Sequence, residues 1–460
     1  MKALPKLLLI VIGVALVGGG VFGFFRMEGA PPQAEIRSMP EALGEPKEVV
    51  FDVSDSDSGL RRVRITLTAQ GEEKVLTERE FPAKHVFGGG ETRQETVSAT
   101  IDPKALGLSD GEAVLRLTAR DYAWRGWWRG NAATLEKTIQ IDTRPPRISV
   151  LTQQHNINQG GAGLVIYEVS EPGAATGVRV GEDFYPGYPA ETVLGRRPTP
   201  TFLAYFALNF RQGRGTPMHV EASDPAGNVS RAGFAHYIRP KTFPTDDLRI
   251  SDGFLQRKLP EFHDDLEDLD EPVPADPVER FLVVNRALRQ LDGEKLRAVA
   301  QTSDSRKHWS GAFLRLANSA QRAGFADHRN YFYNGDVIDE QFHMGIDLAS
   351  VAQAPVAAAN SGRVALAEDV GIYGGTIMID HGMGIFSLYS HLSRIQAEPG
   401  QMVEKGDVIG NTGATGMAGG DHLHFGMMIH STFVTPVEWW DSHWIEDNIL
   451  RKIKAFSPRS

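Results

Sequence analysis

The chain contains no cysteine. That excludes disulfides, thiolate metal sites and the lipid-attachment cysteine of a lipoprotein, so any metal must sit on His, Asp and Glu. The absence is compatible with an oxidising compartment. Basic excess is lacking too: 48 Lys and Arg against 58 Asp and Glu leave a net charge of -10. Nucleic-acid binding leaves a basic footprint, so no nucleic acid is expected as a partner. Long amphipathic helices are missing before about Asp276, and 48 Gly with 26 Pro favour turns and short strands. What is present is an ordinary globular composition in 460 residues, too many for one core, so roughly three domains are expected.

Leu7 to Phe25 run without a charge, behind Lys2, Lys6 and the amino terminus. At about 1.5 Å per residue the run approaches a ~30 Å hydrocarbon core. Phe24, Phe25 and Arg26 are poor cleavage context, so an uncleaved signal anchor over 1–26 is expected rather than a removed signal peptide. Its flanking charge puts the N-terminus in the cytoplasm. The expectation is a single-pass protein of the cytoplasmic membrane, its bulk in the periplasm or facing the cell wall.

From about Glu45 alternation takes over. Val49–Val53 and Val63–Thr68 read as strands around a Ser-Asp turn, and Val114–Ala119 and Thr138–Ile141 continue the pattern. Ala119-Arg-Asp121 leads to Gly130-Asn131, and Ala222-Ser-Asp224 leads to Gly227-Asn228. The echo resembles the penultimate hairpin of bacterial immunoglobulin-like domains. It implies two β-sandwiches, over 35–144 and 145–241, dividing near Pro145-Pro146. Asp121 and Asp224 read as turn caps. Trp124, Trp127 and Trp128 sit in the first hairpin insert, to pack on the sandwich end or to meet glycan or protein; other cell-wall or division proteins are partners to consider there.

Residues 242–330 change character. An acidic run from Asp264 to Glu271 reads as a solvated linker. Asp276-Pro277-Val-Glu279 is a helix start, with Asp as N-cap and Pro in the first turn. That helix is expected to stop near Gly293, and a second apolar-periodic segment around 309–323 completes a short helical connector. A basic tail is expected over 446–460.

The chemistry lies in 331–445. His343-Met-Gly-Ile-Asp347 spaces an imidazole and a carboxylate across a glycine, and His422-Leu-His424 puts two imidazoles on one face of a strand. Neutral imidazoles with a carboxylate are the ligand set of a catalytic zinc site, where three protein ligands leave one position open. These pieces occur in order with Tyr389-Ser-His391-Leu392, Gly400-Gln-Met-Val-Glu-Lys-Gly406-Asp-Val-Ile-Gly410 and Thr415-Gly416. Together they resemble the lysostaphin/LytM-type zinc metalloendopeptidases, which cleave peptide cross-links of bacterial cell walls. The resemblance covers about the last quarter of the chain.

It implies an antiparallel β metallopeptidase domain and one Zn2+ per chain, held by His343, Asp347 and His424. His391 and His422 match the family's two non-ligand histidines. His422 is assigned as the base and His391 as the oxyanion or leaving-group partner. Asn360, Tyr373, Tyr389 and Thr415 are substrate-side candidates. His381, His430 and His443 read as core or surface residues. Asn334, Asp336, Asp339 and Glu340, just before His343, are candidates to cap the metal and hold it latent. Gln353-Ala-Pro355, Asp421 and Gly426 depart from the family pattern around the groove, where they bear on specificity. Biotinyl or lipoyl carriers share the hairpin text, but their Met-Lys pair is absent between the two segments. A non-catalytic scaffold that activates another hydrolase is the alternative; such relatives lose ligands that this chain keeps. An adhesin-like reading leaves the metal constellation unexplained. The expectation is therefore mainly β, with a transmembrane helix, two sandwiches, a helical connector and a zinc endopeptidase acting on peptidoglycan.

Overall fold

The computed structural model describes residues 4–27, 29–84, 88–269 and 273–457. Lys2, and Asp270, Glu271 and Pro272 of the acidic run, lie outside the described residues. The chain is mainly β and divides into two compact units, 1–146 with 223–229, and 147–222 with 230–460.

In the first unit Leu4–Arg26 is a helix, and Leu8, Val14, Leu16 and Phe24 on it are exposed. Among the described residues no helix is long and apolar enough to cross a membrane. The expected transmembrane anchor is not supported. The remainder is a sandwich. Strands Gln33–Ser38, Lys47–Ser54 and Gln94–Ile101 form one sheet, and a five-stranded sheet centred on Gly111–Asp121 forms the other. Val49, Phe51 and Val53 of one sheet share a core with Ile65, Leu115 and Leu117 of the other, as period-2 alternation requires. Asp121 caps its hairpin, accepting from the Ala123 and Asn131 amides at 3.0 and 2.7 Å. Asp224 repeats the device with Asn228 at 2.9 Å. Trp124 packs against Trp128 with ring centroids 4.7 Å apart, while Trp127 is 93% exposed.

The second unit has one core running from Ile157 to Ile453. Two four-stranded sheets built around Ala162–Val169 and Ala175–Val180 precede the helices and the eight-stranded sheet of the C-terminal part. Three sequence expectations change here. The helix capped by Asp276, which accepts from the Val278 and Glu279 amides at 2.8 and 2.9 Å, does not stop at Gly293. It passes through a π turn at Val284–Leu288 and continues to Val299; Gly293 sits in mid-helix beneath the Arg297 guanidinium rather than at an end. Residues 302–319 are not helical. Their apolar spacing comes from Trp309 and Phe313, which peg irregular chain onto Trp439 at 5.7 and 5.4 Å. The basic tail is instead mostly a run of helix, Ser442–Phe456, whose Ile445, Ile449 and Ile453 are buried four residues apart.

The core also buries Glu438, which accepts from Asn158 Nδ2 at 2.7 Å and the Ala162 amide at 2.9 Å. Burial pushes its carboxyl up to about 7. The folded unit then keeps a proton that the unfolded chain gives up above about 4.5, so this group's contribution falls as pH rises from there to about 7. Glu438→Gln is expected to gain stability relative to wild type across that window, by up to ~3 kcal/mol, measured as the difference in thermal midpoint between pH 4.5 and 7.5.

Candidate metal centre

The centre is assembled by strand register. Ile346–Ala349 pairs antiparallel with Leu423–Ile429, placing Asp347 opposite His424. Ile385–Leu392 pairs with the other edge of Leu423–Ile429, placing Ser390 opposite His424 and Tyr389 opposite Phe425. Directly opposed residues share a face, so Asp347 and His424 face one way and Tyr389 and Phe425 the other. At Ser390 and His391 the pairing with Gly374–Asp380 slips between Gly375↔Leu392 and Ile377↔Tyr389, leaving two residues opposite Thr376. This bulge, with His391 at φ +63°, re-aims a side chain that strict alternation would turn away.

Three ligand atoms converge. His343 Nε2 and His424 Nδ1 are 2.9 Å apart, and each lies 2.9–3.0 Å from Asp347 Oδ1. His343, Asp347 and His424 are buried and form a group that can hold a metal ion. The donor set fits a cation. His343 Nδ1 lies 2.8 Å from the Gly324 carbonyl; that oxygen only accepts, so Nδ1 carries the proton and Nε2 turns a lone pair inward. That lone pair meets another ring nitrogen and a carboxylate oxygen, an arrangement a shared cation relieves. Tetrahedral ligands about 2.0–2.1 Å from zinc stand about 3.3 Å apart, so the group needs to open by only a few tenths of an ångström. Burial works to raise the Asp347 carboxyl, but His343, His422 and His424 outweigh it and hold the group well below the usual carboxylate range. His424 is lowered to about 4, chiefly by burial, which keeps it a neutral ligand.

His391 and His422 stand beside the group, their rings 4.8 Å apart. His391 Nδ1 donates to the Thr415 carbonyl at 2.9 Å, and His422 Nδ1 to the Gly420 carbonyl at 2.8 Å. Both are therefore held in the tautomer whose Nε2 accepts. His422 Nε2 is 3.5 Å from Asp347 Oδ1. Burial, then the charges of His422 and His424, keep His391 far below ordinary imidazole values.

The substrate-side candidates separate. Tyr373 lines the cavity, its ring 5.8 Å from His424. Thr415 acts through its backbone on His391, while its hydroxyl bonds the Gly375 amide and the Leu392 carbonyl, both at 3.0 Å. Tyr389 faces the core, its hydroxyl accepting from the Ala359 amide at 2.7 Å. Asn360 is fully buried and fastens Ser310 through two 3.1 Å bonds. Neither Tyr389 nor Asn360 is among the cavity's lining residues. The capping candidates are not brought to the metal group. Asp339 is held by Asn285 and Arg286 at 2.6 and 2.9 Å, and Glu340 by His328 at 3.1 Å. Asn334 lies in the turn of the hairpin His328–Tyr333/Asp336–Phe342 and Asp336 follows it; Asn334 and Gly335 take positive φ there. His381 is a satisfied core residue, bonded to the Ser361 carbonyl and Ser387 Oγ. His430 stacks on Tyr188, and the His443 side chain is 96% exposed.

Arg329 reaches the group from that same hairpin. Its Nη2 donates to Asp347 Oδ2 at 2.9 Å, leaving Oδ1 to the imidazoles. No motif marks this arginine; a lone basic residue in a strand carries no sign of where it points.

Residues 341–436 match the family model Peptidase family M23. The C-terminal part is thus an M23 peptidase domain. It is similar to the DD-carboxypeptidase/endopeptidase Mpg of Neisseria meningitidis, 39% identical over 21% of this chain and 22% of that protein. It is also similar to the peptidoglycan DD-endopeptidase ShyB of Vibrio cholerae, 32% identical over 24% and 25%. The chain thus matches a quarter or less of the length of these relatives. The catalytic domain of lysostaphin from Staphylococcus simulans aligns over 28% of this chain and 98% of its own, at 28% identity and a TM-score of 0.25.

Arg329→Met is expected to leave Asp347 Oδ2 unpaired and weaken metal binding about 10- to 100-fold, the usual cost of losing an outer-shell partner. Chelator competition against zinc measures it. An unchanged affinity would show that the ion pair does not tune the ligand.

Proposed function

We propose that this chain is a zinc-dependent endopeptidase that hydrolyses peptide cross-links of bacterial peptidoglycan. The observation that carries the reading is the convergence of His343, Asp347 and His424 on one point, beside two imidazoles with accepting Nε2 atoms. The M23 match and the printed activities of the relatives are the support for the substrate class. Retention of all three ligands favours catalysis over a scaffold that activates another hydrolase.

A bound zinc ion supplies Lewis-acid polarisation of a carbonyl and eases ionisation of water. The chain's own groups supply proton transfer. His422 Nε2, on the Asp347 side, is placed to take the proton of the attacking water. Burial works to lower its pKa, but the Asp347 carboxylate more than compensates and the net shift is upward. His391 is placed to steady the developing oxyanion or the leaving amine once its Nε2 carries a proton, since in the neutral tautomer set by Thr415 that atom only accepts. As the water oxygen bonds to the carbonyl carbon and the C–N bond breaks, the proton taken from water passes to the amine nitrogen. Tyr373 forms part of the wall against which the peptide lies. Peptidoglycan lies outside the cytoplasmic membrane, so the proposed place of action is the periplasm or the face of the wall.

Purified protein incubated with isolated sacculi is expected to release cross-link cleavage products that disappear with chelator and return with zinc, read by mass analysis of the muropeptides. His424→Ala is expected to lose zinc and activity together. His391→Ala is expected to keep zinc and lose about 10²–10⁴ in rate. Cleavage by a zinc-free His424→Ala protein would sink the mechanism.

A further inference from the structure

The cavity that holds the metal group extends past it, with a volume of about 770 Å3, the size of a ligand cleft rather than a water pocket. Its charge is one-sided. Five arginines line it, at 211, 249, 289, 297 and 329, against two acidic residues, Asp183 and Asp347. Asp347 belongs to the metal group and is paired with Arg329. Asp183 accepts from Gln212 Nε2 at 3.1 Å. Arg211 stacks its guanidinium on Phe210 and Phe342 at 5.2 and 5.0 Å.

One wall is the helix Arg289–Val299, which contributes Arg289, Gly293 and Arg297 to the lining. Positions i, i+4 and i+8 lie along one helix face. Gly293 is unfavourable inside a helix, but a Cβ there would meet Arg297 Nη1 at 3.3 Å and Nη2 at 3.4 Å. Its absence lets the guanidinium lie back across the helix. Arg289 is held in place by Asn285, with Nε to the backbone oxygen at 3.1 Å and Nη2 to Oδ1 at 2.6 Å. Among the described residues neither guanidinium forms an ion pair with a carboxylate. The wall is fixed relative to the metal group, because Asp292 accepts the Ile372 amide at 2.8 Å in the turn that carries Tyr373.

Unpaired guanidinium groups, oriented and partly desolvated, are matched to carboxylates, which they bind bidentately. We propose that this arm of the cavity is a subsite for the carboxylates of an acidic peptide, gripped by Arg289 and Arg297 while the adjoining amide lies at the metal group. The inference rests on the peptidoglycan reading and narrows it: the preferred stem carries free carboxylates.

The test uses full-length, zinc-loaded His391→Ala protein, so that the ligand survives, and two cross-linked muropeptide dimers, one with its stem carboxylates free and one with them amidated. Calorimetric titration is expected to show the free dimer binding at least about tenfold tighter. Adding Arg289→Met and Arg297→Met should collapse that ratio towards one, while the two Arg→Lys replacements should restore part of it. Arg297→Met alone, whose guanidinium makes no hydrogen bond among the described residues, gives the same readout should the pair fail to fold; zinc content reports the integrity of each variant. Equal binding of the two dimers overturns the subsite and leaves the substrate class standing. A ratio that survives the Met pair also overturns the subsite. Binding of neither dimer overturns both.

Discussion

One carboxylate oxygen organises the C-terminal part. Asp347 Oδ1 lies within 3.0 Å of a nitrogen from each of His343 and His424 and 3.5 Å from His422. Burying such a group is costly unless opposite charge or hydrogen bonds offset the desolvation; Arg329 supplies part of that offset, and a cation at the metal group would supply the rest. The companion oxygen is turned to Arg329. The split between oxygens keeps one directed at the histidines and the other neutralised, so geometry singles out the atom that could meet an ion.

The rest of the second unit holds this arrangement still. Central strands buried along their whole length supply the platform, and the bulge at Ser390 and His391 adds the one side chain that regular pleating would misdirect. Backbone carbonyls from Gly324, Thr415 and Gly420 then set the tautomers of three imidazoles. Two of these carbonyls, from Thr415 and Gly420, lie in the loop before Leu423–Ile429, whose Met417, Ala418 and Gly419 line the cavity. The long helix brings cationic groups to the same cavity and is tied to the site through Asp292, whose carboxyl burial raises to about 6.

Much of the site was legible because its signals are local. The Asp276 cap, the paired Asp–Asn hairpins and the His-x-His strand each follow from neighbours a few residues apart. The failures share another cause. The helix was expected to end at Gly293, yet its glycine lies beneath Arg297 on the cavity wall. Residues 309–323 spaced their apolar groups like a helix while serving as pegs under irregular chain. Asn360 and Tyr389, read as groove residues, spend their polar atoms inside the core. Each was misread because burial by distant elements, not local propensity, decides the outcome.

By itself the sequence determined the candidate ligand types, the pairing of His422 and His424 on one strand face and the absence of any thiolate alternative, since residue chemistry and a period of two settle those points. Tertiary structure decided which histidine lone pairs point inward, that Arg329 meets Asp347 while the upstream capping candidates are held elsewhere, and that the metal group opens into an arginine-lined cleft. Those outcomes depend on strand register and on contacts between residues far apart in the chain, and no local pattern encodes either.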